Sequence, residues 1–280
     1  MTAVEQPTAA ASAFNVLVKT RLGPMLVNRN DRYVGQSLIA YGEMCEGEAA
    51  LFRQLVGPGG VAIEAGANIG AHTLLLSQLV GEQGIVLAYE PQRIVFQTLC
   101  ANLALNQCLN VVARQQGLGR VAGQMVLPAV DPRLPNNFGG LSLLAEGGGE
   151  RVGVVTLDGL ELPRCDFLKA DVEGMEVDVL AGARQTLKRC RPILYLENDR
   201  AEHSAALIEL LFSLDYRVWW HVTPLFNPQN FAGNPNNIFG GTVSINVLCQ
   251  PRQSARPVSG LREIISPDDH WNSSNQHGAQ

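Results

Sequence analysis

The stretch AIEAGANIGAHTLLLSQL, residues 62–79, decides the fold. A short aliphatic run leads into an acidic residue, a glycine-rich turn follows, and a leucine-rich helical pattern begins. A turn with few side chains lets a ligand approach the backbone, and in open parallel sheets ligands bind at the carboxyl ends of the strands. The stretch therefore predicts a strand, a ligand-binding turn and a helix, in that order.

Short apolar runs alternate with helical patterns along most of the chain. The predicted strands are GVAIEAG, GIVLAYE, NVVARQQ, CDFLKADVEG, RPILYLEND, YRVWWHV and GTVSINVLC, and a helix is predicted after the first, second, fourth and fifth. Pro91 is expected at the first position of the second helix. Apolar strands alternating with helices indicate a parallel sheet covered by helices on both faces. No helix separates the last two runs, so one of them is expected to enter the sheet antiparallel.

The predicted domain spans residues 35–250, between an N-terminal extension at 1–34 and a polar C-terminal tail at 251–280. An insertion at about 117–164 is too long for a plain connection. It contains two β-like runs, GQMVLPAV and RVGVVTL, around a segment rich in proline, asparagine and glycine. We interpret it as an inserted β-hairpin or lid.

Composition excludes several classes of protein. Hydrophobic residues make up 46% and charged residues 17% of the 280, which is typical of a folded chain. A net charge of −5 offers no basic excess for nucleic acid, and no uncharged apolar run reaches the roughly 18 residues of a membrane helix. The six cysteines are widely spaced and the start shows no secretory signal pattern, so free thiols and a cytoplasmic location are expected. Nothing in the sequence indicates an oligomeric state.

Two classes of ligand use a glycine turn of this kind, and the spacing separates them. The dinucleotide fingerprint G-x-G-x-x-G requires glycines at 66, 68 and 71, where this chain has Gly66, Asn68 and Ala71. The S-adenosylmethionine pattern is acidic-x-G-x-G-x-G, to which Glu64, Gly66 and Gly70 conform. Only Asn68 departs from this second pattern, which has glycine at position 68.

The acidic residues favour the second ligand. A pyrophosphate is bound by helix N–H groups and disfavours a nearby carboxylate. S-adenosylmethionine carries an ammonium and a sulfonium, both cationic, which Glu64 tolerates. Glu90 ends the second strand, where a carboxylate can accept hydrogen bonds from both ribose hydroxyls. The alternative role for Glu90 is a helix N-cap ahead of Pro91.

Six motifs, in the right order along the chain, resemble the FkbM-type S-adenosylmethionine-dependent methyltransferases. They are IEAGANIGAHTL, LAYEP, NLALNQCLNV, TLDGL, FLKADVEGMEVDVLAGA and ILYLEND, and the resemblance covers roughly residues 35–250. It implies an α/β class I methyltransferase fold, Rossmann-like, with a seven-stranded mostly parallel sheet whose last strand is antiparallel. It also implies methyl transfer to oxygen, commonly a hydroxyl of a sugar or natural product. The family's first motif more often opens with aspartate, so Glu64 lengthens that side chain by one methylene.

The glycine turn, the two acidic residues and the resemblance together predict a set of cofactor-binding residues. The lead-in segment YGEMCEGEAALF adds Tyr41 and Glu43, whose alternative role is a helix packed over the sheet. The residues expected to bind S-adenosyl-L-methionine are Glu64, Gly66, Ala67, Asn68, Gly70, His72, Glu90, Pro91, Asp171, Tyr41 and Glu43.

Catalysis needs a group that accepts the proton of the acceptor hydroxyl. Acidic residues at the carboxyl ends of the fourth and fifth strands face the crevice, and Lys169 lies on the same strand face as Asp171. The residues expected to act in catalysis are Asp171, Glu173, Glu197 and Lys169. A divalent ion such as magnesium, held by Asp171, Glu197 or Asn198, is an alternative that the spacing does not establish.

The function predicted is an O-methyltransferase acting on a small-molecule or glycan acceptor, with neither nucleic acid nor membrane as partner. A nicotinamide-dependent oxidoreductase is the second hypothesis, because it uses the same strand, turn and helix. A cofactor-binding module without transfer activity is the third. Fold alone does not decide between them.

Overall fold

The structure is a computed structural model that describes residues 14–143, 148–254 and 256–273. The first thirteen residues of the predicted N-terminal extension and the last seven of the predicted tail lie outside these ranges. The elements, in chain order, are β1 (Asn15–Thr20), β2 (Gly23–Asn28), α1 (Val34–Tyr41), α2 (Glu46–Leu55), β3 (Val61–Ala65), α3 (Ala71–Val80), β4 (Ile85–Tyr89), α4 (Arg93–Leu105), β5 (Val111–Arg114), β6 (Gln116–Leu118), β7 (Gly123–Pro128), β8 (Gly149–Val155), a 3₁₀ turn (Asp158–Leu160), β9 (Phe167–Ala170), α5 (Glu176–Ala181), α6 (Arg184–Cys190), β10 (Ile193–Glu197), α7 (Ala201–Ser213), β11 (Tyr216–Pro224), β12 (Val243–Pro251) and β13 (Arg262–Ile264).

The main sheet has eight strands in the order β13-β11-β12-β10-β9-β3-β4-β5. The five strands from β10 to β5 pair in parallel, and β12 enters antiparallel between β10 and β11. The predicted class I α/β fold is confirmed, including its antiparallel last strand. The eighth strand, β13, pairs with β11 at the sheet edge and lies in the range that the sequence assigned to a polar tail.

Both faces of the sheet are covered, because side chains alternate between the faces along each strand. Ile63 and Leu168 point into a core with α5, α6 and α7, whereas Ala62 and Phe167 point into a core with α2 and α3. A third cluster joins α4 to the hairpin β1–β2 through Leu99 and other apolar residues. The hairpin therefore packs on the same domain as the sheet, although the sequence placed it in the N-terminal extension.

Two helix predictions need correction. Pro91 precedes α4 instead of starting it, because Glu90 accepts the backbone N–H of Gln92 and the chain stays extended there. The single helix expected after β9 is two short helices, α5 and α6. They separate at Gly182, whose carbonyl accepts the N–H of Asp158 and whose Cα lies against the backbone of Gly119.

The insertion forms a three-stranded sheet in the order β6-β8-β7. Strands β7 and β8 are the predicted antiparallel hairpin, and β6 is a further strand that pairs with β8 in parallel. The central segment of the insertion is fastened to the connection between β2 and α1. Asn136 accepts the N–H of Arg32 at 3.0 Å and donates its own N–H to Asn30 at 3.0 Å. The insertion and the N-terminal hairpin therefore form one wall above the carboxyl ends of β3 and β4.

None of the helices in the described ranges is both long and apolar enough to cross a bilayer. All six cysteines are free, as expected from their spacing.

The turn after β3 lies in direct contact with the connection after β9. Gly66 has φ +80°, and a Cβ added there would lie 1.9 Å from the carbonyl oxygen of Asp171. Only glycine tolerates both the left-handed backbone and this approach. The contact sets the distance between the two connections that carry most of the predicted site.

We predict that Gly66→Ala lowers the free energy of unfolding by at least about 2 kcal/mol more than Gly59→Ala, because it adds overpacking to backbone strain. Gly59 is the matched control, since it has φ +75° with no atom within 4 Å of an added Cβ. Urea unfolding of both variants measures the difference. Equal losses would mean that the approach of Asp171 does not constrain position 66.

Candidate functional site

A cavity of about 360 Å³ opens at the carboxyl ends of β3, β4, β9 and β10. This volume lies in the range of small-molecule sites, about 300–1,000 Å³. The predicted site residues that line it are Glu64, Gly66, Ala67, Asn68, His72, Glu90, Pro91, Lys169, Asp171, Glu173 and Glu197. Among the described residues, three predicted ones do not line it, namely Gly70, Tyr41 and Glu43.

The turn between β3 and α3 has few side chains, so a ligand can approach its backbone. The N–H groups of Gly66 and Ala67 both donate to the carbonyl of Tyr89 at 2.9 Å. Asn68 has φ +50° and its Oδ1 accepts the N–H of Ile69. Because asparagine tolerates the left-handed region, Asn68 takes the conformation that the pattern assigns to glycine. Gly70, with φ +92°, ends the turn immediately before α3.

Glu90 is held by two backbone amides at the cavity wall. Its Oε2 accepts the N–H of Asn68 at 3.0 Å, and its Oε1 accepts the N–H of Gln92 at 2.8 Å. Burial raises the pKa of Glu90 to about 7, while the two amide hydrogen bonds act in the opposite direction. Its carboxylate is therefore fixed in place before any ligand arrives. The N-cap position of α4 is occupied by Gln92, whose side chain makes no capping hydrogen bond, so the alternative role of Glu90 as N-cap is wrong.

Lys169 carries the positive charge at the centre of the site. Its Nζ donates to Asp171 Oδ2 at 3.1 Å and lies 3.9 Å from Glu64 Oε1. Burial by itself would lower the pKa of Lys169, but Asp171, Glu64 and Glu48 outweigh it and raise that pKa above its usual value. The ammonium therefore stays protonated although its side chain is only 3% exposed.

Glu64 is a buried partner of this ammonium. Burial raises the pKa of Glu64 to about 7, opposed by Lys169 and by the hydroxyl of Thr73, which donates to Oε2 at 2.6 Å. The pKa values of Lys169 and Glu64 are both raised, for different reasons. Desolvation is the largest effect on the Glu64 carboxylate, whereas the combined charge of three acidic neighbours outweighs desolvation for the Lys169 ammonium. We therefore regard Lys169 as the charged member of the pair and Glu64 as readily protonated.

Glu48, which is not among the residues predicted from the sequence, reaches the cavity from the first turn of α2. The Glu48 carboxylate accepts hydrogen bonds from Ser244 Oγ at 2.6 Å and from Asn246 Nδ2 at 3.1 Å. It also lies 3.8 Å from His72 Nε2. Burial, with Lys169 second, lowers the pKa of His72 to about 3, so this imidazole is neutral. The lead-in segment was the right region, but one sequence does not reveal which of its acidic residues faces the cavity.

Tyr41 and Glu43, the lead-in residues expected at the cofactor, lie in another place. The Tyr41 hydroxyl donates to the carbonyl of Asn236 at 2.8 Å, and Glu43 pairs with Arg21 and accepts Nδ2 of Asn227. Phe231 donates its N–H to Glu43 as well. Both side chains thus hold the long connection between β11 and β12 against α1.

Three carboxylates converge at the ends of β9 and β10. Oxygen atoms of Asp171, Glu173 and Glu197 lie within 4.8 Å of one another. Glu173 pairs with Arg200, and burial followed by the charge of Asp171 raises the pKa of Glu173 to about 7. Burial raises the pKa of Glu197 well above its usual value. Asn198, in contrast, is buried and is not among the described residues that line the cavity.

The insertion and β6 supply a part of the cavity wall that the predicted site residues did not include. Gln92 Nε2 donates to the carbonyl of Phe138 at 3.1 Å, which brings the insertion over the turn after β4. The lining residues from this region are Gln116, Gly117, Leu118, Leu127, Asn137, Phe138, Gly139, Leu141 and Leu143. The length and composition of the insertion predicted a hairpin or lid here, without indicating which of its residues line the cavity.

A family model, the methyltransferase FkbM domain, matches residues 64–218, more than half of the chain. The chain belongs to the FkbM methyltransferase family. The resemblance carried by the six motifs is thereby confirmed. The matched FkbM range runs from Glu64 in β3 to Val218 in β11, so it contains Glu90, Lys169 and the three converging carboxylates.

Two curated relatives are similar over part of the chain. Methyltransferase 1 of Beauveria bassiana is 32% identical over an alignment of 143 residues that covers 43% of this chain and 57% of that protein. Methyltransferase sdnD of Sordaria araneosa is 33% identical over an alignment of 157 residues that covers 43% of this chain and 59% of that protein. The chain therefore matches less than two thirds of the length of either relative. The solved methyltransferase FkbM of Methylobacillus flagellatus KT aligns with a TM-score of 0.47 at 17% identity, covering 72% of this chain and 50% of that one.

In this FkbM domain, we predict that Lys169→Met lowers the free energy of unfolding by about 3–5 kcal/mol at pH 8, the usual cost of breaking a buried pair. Without the ammonium, the folded-state pKa of Glu64 rises further above its unfolded value. Stability from such a group is present below its unfolded pKa and is lost as the pH rises through the folded one. The loss should therefore be smaller at pH 5 than at pH 8.

Urea unfolding at both pH values measures this difference. Lys188→Met, an exposed lysine in α6, is the control and should change stability by less than about 0.5 kcal/mol at either pH. Adding Glu64→Gln to Lys169→Met should restore part of the loss at pH 8. A loss that is equal at the two pH values, without recovery in the double variant, would contradict the pairing.

Proposed function

We propose that this protein is an S-adenosyl-L-methionine-dependent O-methyltransferase acting on a hydroxyl of a small-molecule or glycan acceptor. One observation carries the proposal. A single cavity is lined by Glu90, a carboxylate already oriented by two backbone amides, and by the ion pair of Lys169 with Asp171. The first suits the ribose of the cofactor and the second suits an acceptor hydroxyl.

The lining residues fit S-adenosyl-L-methionine in charge and shape. When bound, this cofactor supplies a methyl group on a cationic sulfur. Glu48, Glu64 and Glu90 line the cavity with carboxyl groups, and the oxygens of Glu90 retain lone pairs for two ribose hydroxyls. His72 Nε2 is buried without a hydrogen-bond partner within the described part of the chain, which leaves it free for a polar group of the ligand.

Asp171 is the residue best suited to accept the proton of the acceptor hydroxyl. Its side chain is 40% exposed, and Lys169 fixes its orientation through the 3.1 Å hydrogen bond. Without a bound ion, the raised pKa of Glu173, about 7, and that of Glu197 favour their protonated forms, which do not remove a proton from an acceptor. Lys169, which remains protonated, acts as a positioning residue.

The competing hypotheses have less support. A dinucleotide phosphate needs free N–H groups at the turn, but the N–H of Asn68 already donates to Glu90. A binding module without activity would not need a fixed ion pair facing the cavity. The acidic cavity and the net charge of −5 also disfavour nucleic acid as the acceptor.

We predict that Glu90→Ala lowers the affinity for S-adenosylhomocysteine at least tenfold. Each hydrogen bond to a charged group contributes about 1.5–3 kcal/mol, and about 1.4 kcal/mol is a factor of ten. Calorimetric titration of the folded variant measures the affinity, with the exposed Glu82→Ala as control. Because the ionised carboxylate accepts both hydroxyls and its pKa is about 7, wild-type affinity should rise about tenfold from pH 6 to pH 8. Glu90→Gln should lose most of that rise, and unchanged affinity in both variants would contradict the ribose assignment.

We further predict that the protein transfers a labelled methyl group from S-adenosylmethionine to oxygen in a panel of hydroxylated small molecules and glycans. Mass spectrometry of the products, with fragmentation, identifies the methylated atom. Asp171→Asn should lower kcat at least about a hundredfold, the contribution of a general base, with affinity for S-adenosylhomocysteine changed less than about threefold. Methylation of nitrogen or carbon would refute the O-specificity, and an unchanged kcat would refute the role of Asp171.

A further inference from the structure

The three carboxylates at the ends of β9 and β10 lie closer to one another than they would need to in order to bind a ribose or an ammonium group. Oxygens of Asp171, Glu173 and Glu197 lie within 4.8 Å of one another, and all three residues line the cavity. Opposite ligands of a six-coordinate divalent ion lie roughly 4–5 Å apart, since each bond to oxygen is about 2.0–2.6 Å long. A single ion can therefore contact all three side chains.

A second observation points to a ligand at the same position. Glu197 Oε2 is inaccessible to solvent and accepts no hydrogen bond from any residue that the structure describes. Glu197 lines the cavity, and its carboxylate has four acidic neighbours, Asp171, Glu173, Asp199 and Glu176. A buried acceptor without a partner is costly and needs an explanation, such as a bound ion.

We propose that Asp171, Glu173 and Glu197 bind a divalent cation. Three carboxylates are hard oxygen ligands, which suit Mg²⁺, Mn²⁺ and Ca²⁺ rather than Zn²⁺ or Cu²⁺. The proposed set differs from the one expected from the sequence, because Glu173 replaces Asn198. Three protein ligands leave coordination positions towards the cavity for water or for acceptor oxygens, and this second role depends on the proposed function.

Two cations lie beside the proposed ion. Lys169 pairs with Asp171 and Arg200 pairs with Glu173, so the three carboxylates are not an uncompensated negative cluster. Glu197 is the member without such a pair among the described residues. It should therefore contribute most to ion binding, and its variant is the most informative.

The test is a titration of the full-length protein with Mn²⁺, followed by electron paramagnetic resonance, without cofactor or acceptor. We expect saturable binding of one Mn²⁺ per chain, with Mg²⁺ as competitor. Glu197→Gln should weaken binding at least tenfold. The matched control is Asp199→Asn, which removes a nearby exposed carboxylate at the cavity wall and should change binding less than about threefold.

The proposal fails if the wild type shows no saturable Mn²⁺ binding, or if the two variants weaken it equally, as general electrostatic attraction would. Circular dichroism checks folding, and Glu173→Gln replaces Glu197→Gln if that variant does not fold. Since the titration contains neither cofactor nor acceptor, its failure is distinguishable from failure of the proposed methyl transfer, which S-adenosylhomocysteine binding tests separately.

Discussion

The pairing of the buried Lys169 ammonium with its acidic neighbours is the interaction on which the rest of the site depends. The ammonium comes from β9, and its negative neighbours come from three other parts of the chain, Glu64 in β3, Glu48 in α2 and Asp171 in the connection after β9. A charge buried this deeply is stable only when it is paired. The pairing thus joins the centre of the sheet to the helix above it.

The sheet register explains why these groups meet. Glu64 and Lys169 are direct partners in the parallel pair β3–β9, so their side chains share one face of the sheet. Asp171 lies two residues beyond Lys169 on that face, at the level where the cavity begins. A slip by one residue would turn these side chains towards the other core, and the apolar residues Ala62 and Phe167 on the same face oppose such a slip.

The strands along the chain and the residues of the glycine turn that line the cavity were accessible from the sequence, because both depend on local patterns. The aliphatic runs predict strands, the left-handed turn needs small residues, and an acidic residue after β4 is a local feature. Glu90 illustrates this, since its partners Asn68 and Gln92 belong to the two turns that the motifs already identify. Its fixed orientation follows from the same residues.

The remaining features depend on tertiary contacts that one sequence does not reveal. Glu43 and Glu48 belong to the same acidic lead-in, and only the packing of α2 turns Glu48 to the cavity while Glu43 meets Arg21. Strand β13 has three residues, too few for a period-two pattern to be recognised. The insertion was recognised by its length, but its lining residues depend on how Asn136 fastens it to the N-terminal hairpin.

The residues that line the cavity come from two parts of the chain. Glu90 and the three carboxylates lie within the family match at residues 64–218, whereas Glu48, Leu225 and Ser244 lie outside it. Tyr41 and Glu43 brace the connection between β11 and β12 against α1, and this connection carries Leu225. The first set follows from the motifs of the family, whereas the second set reaches the cavity only through the packing of the lead-in and of the connection that it braces.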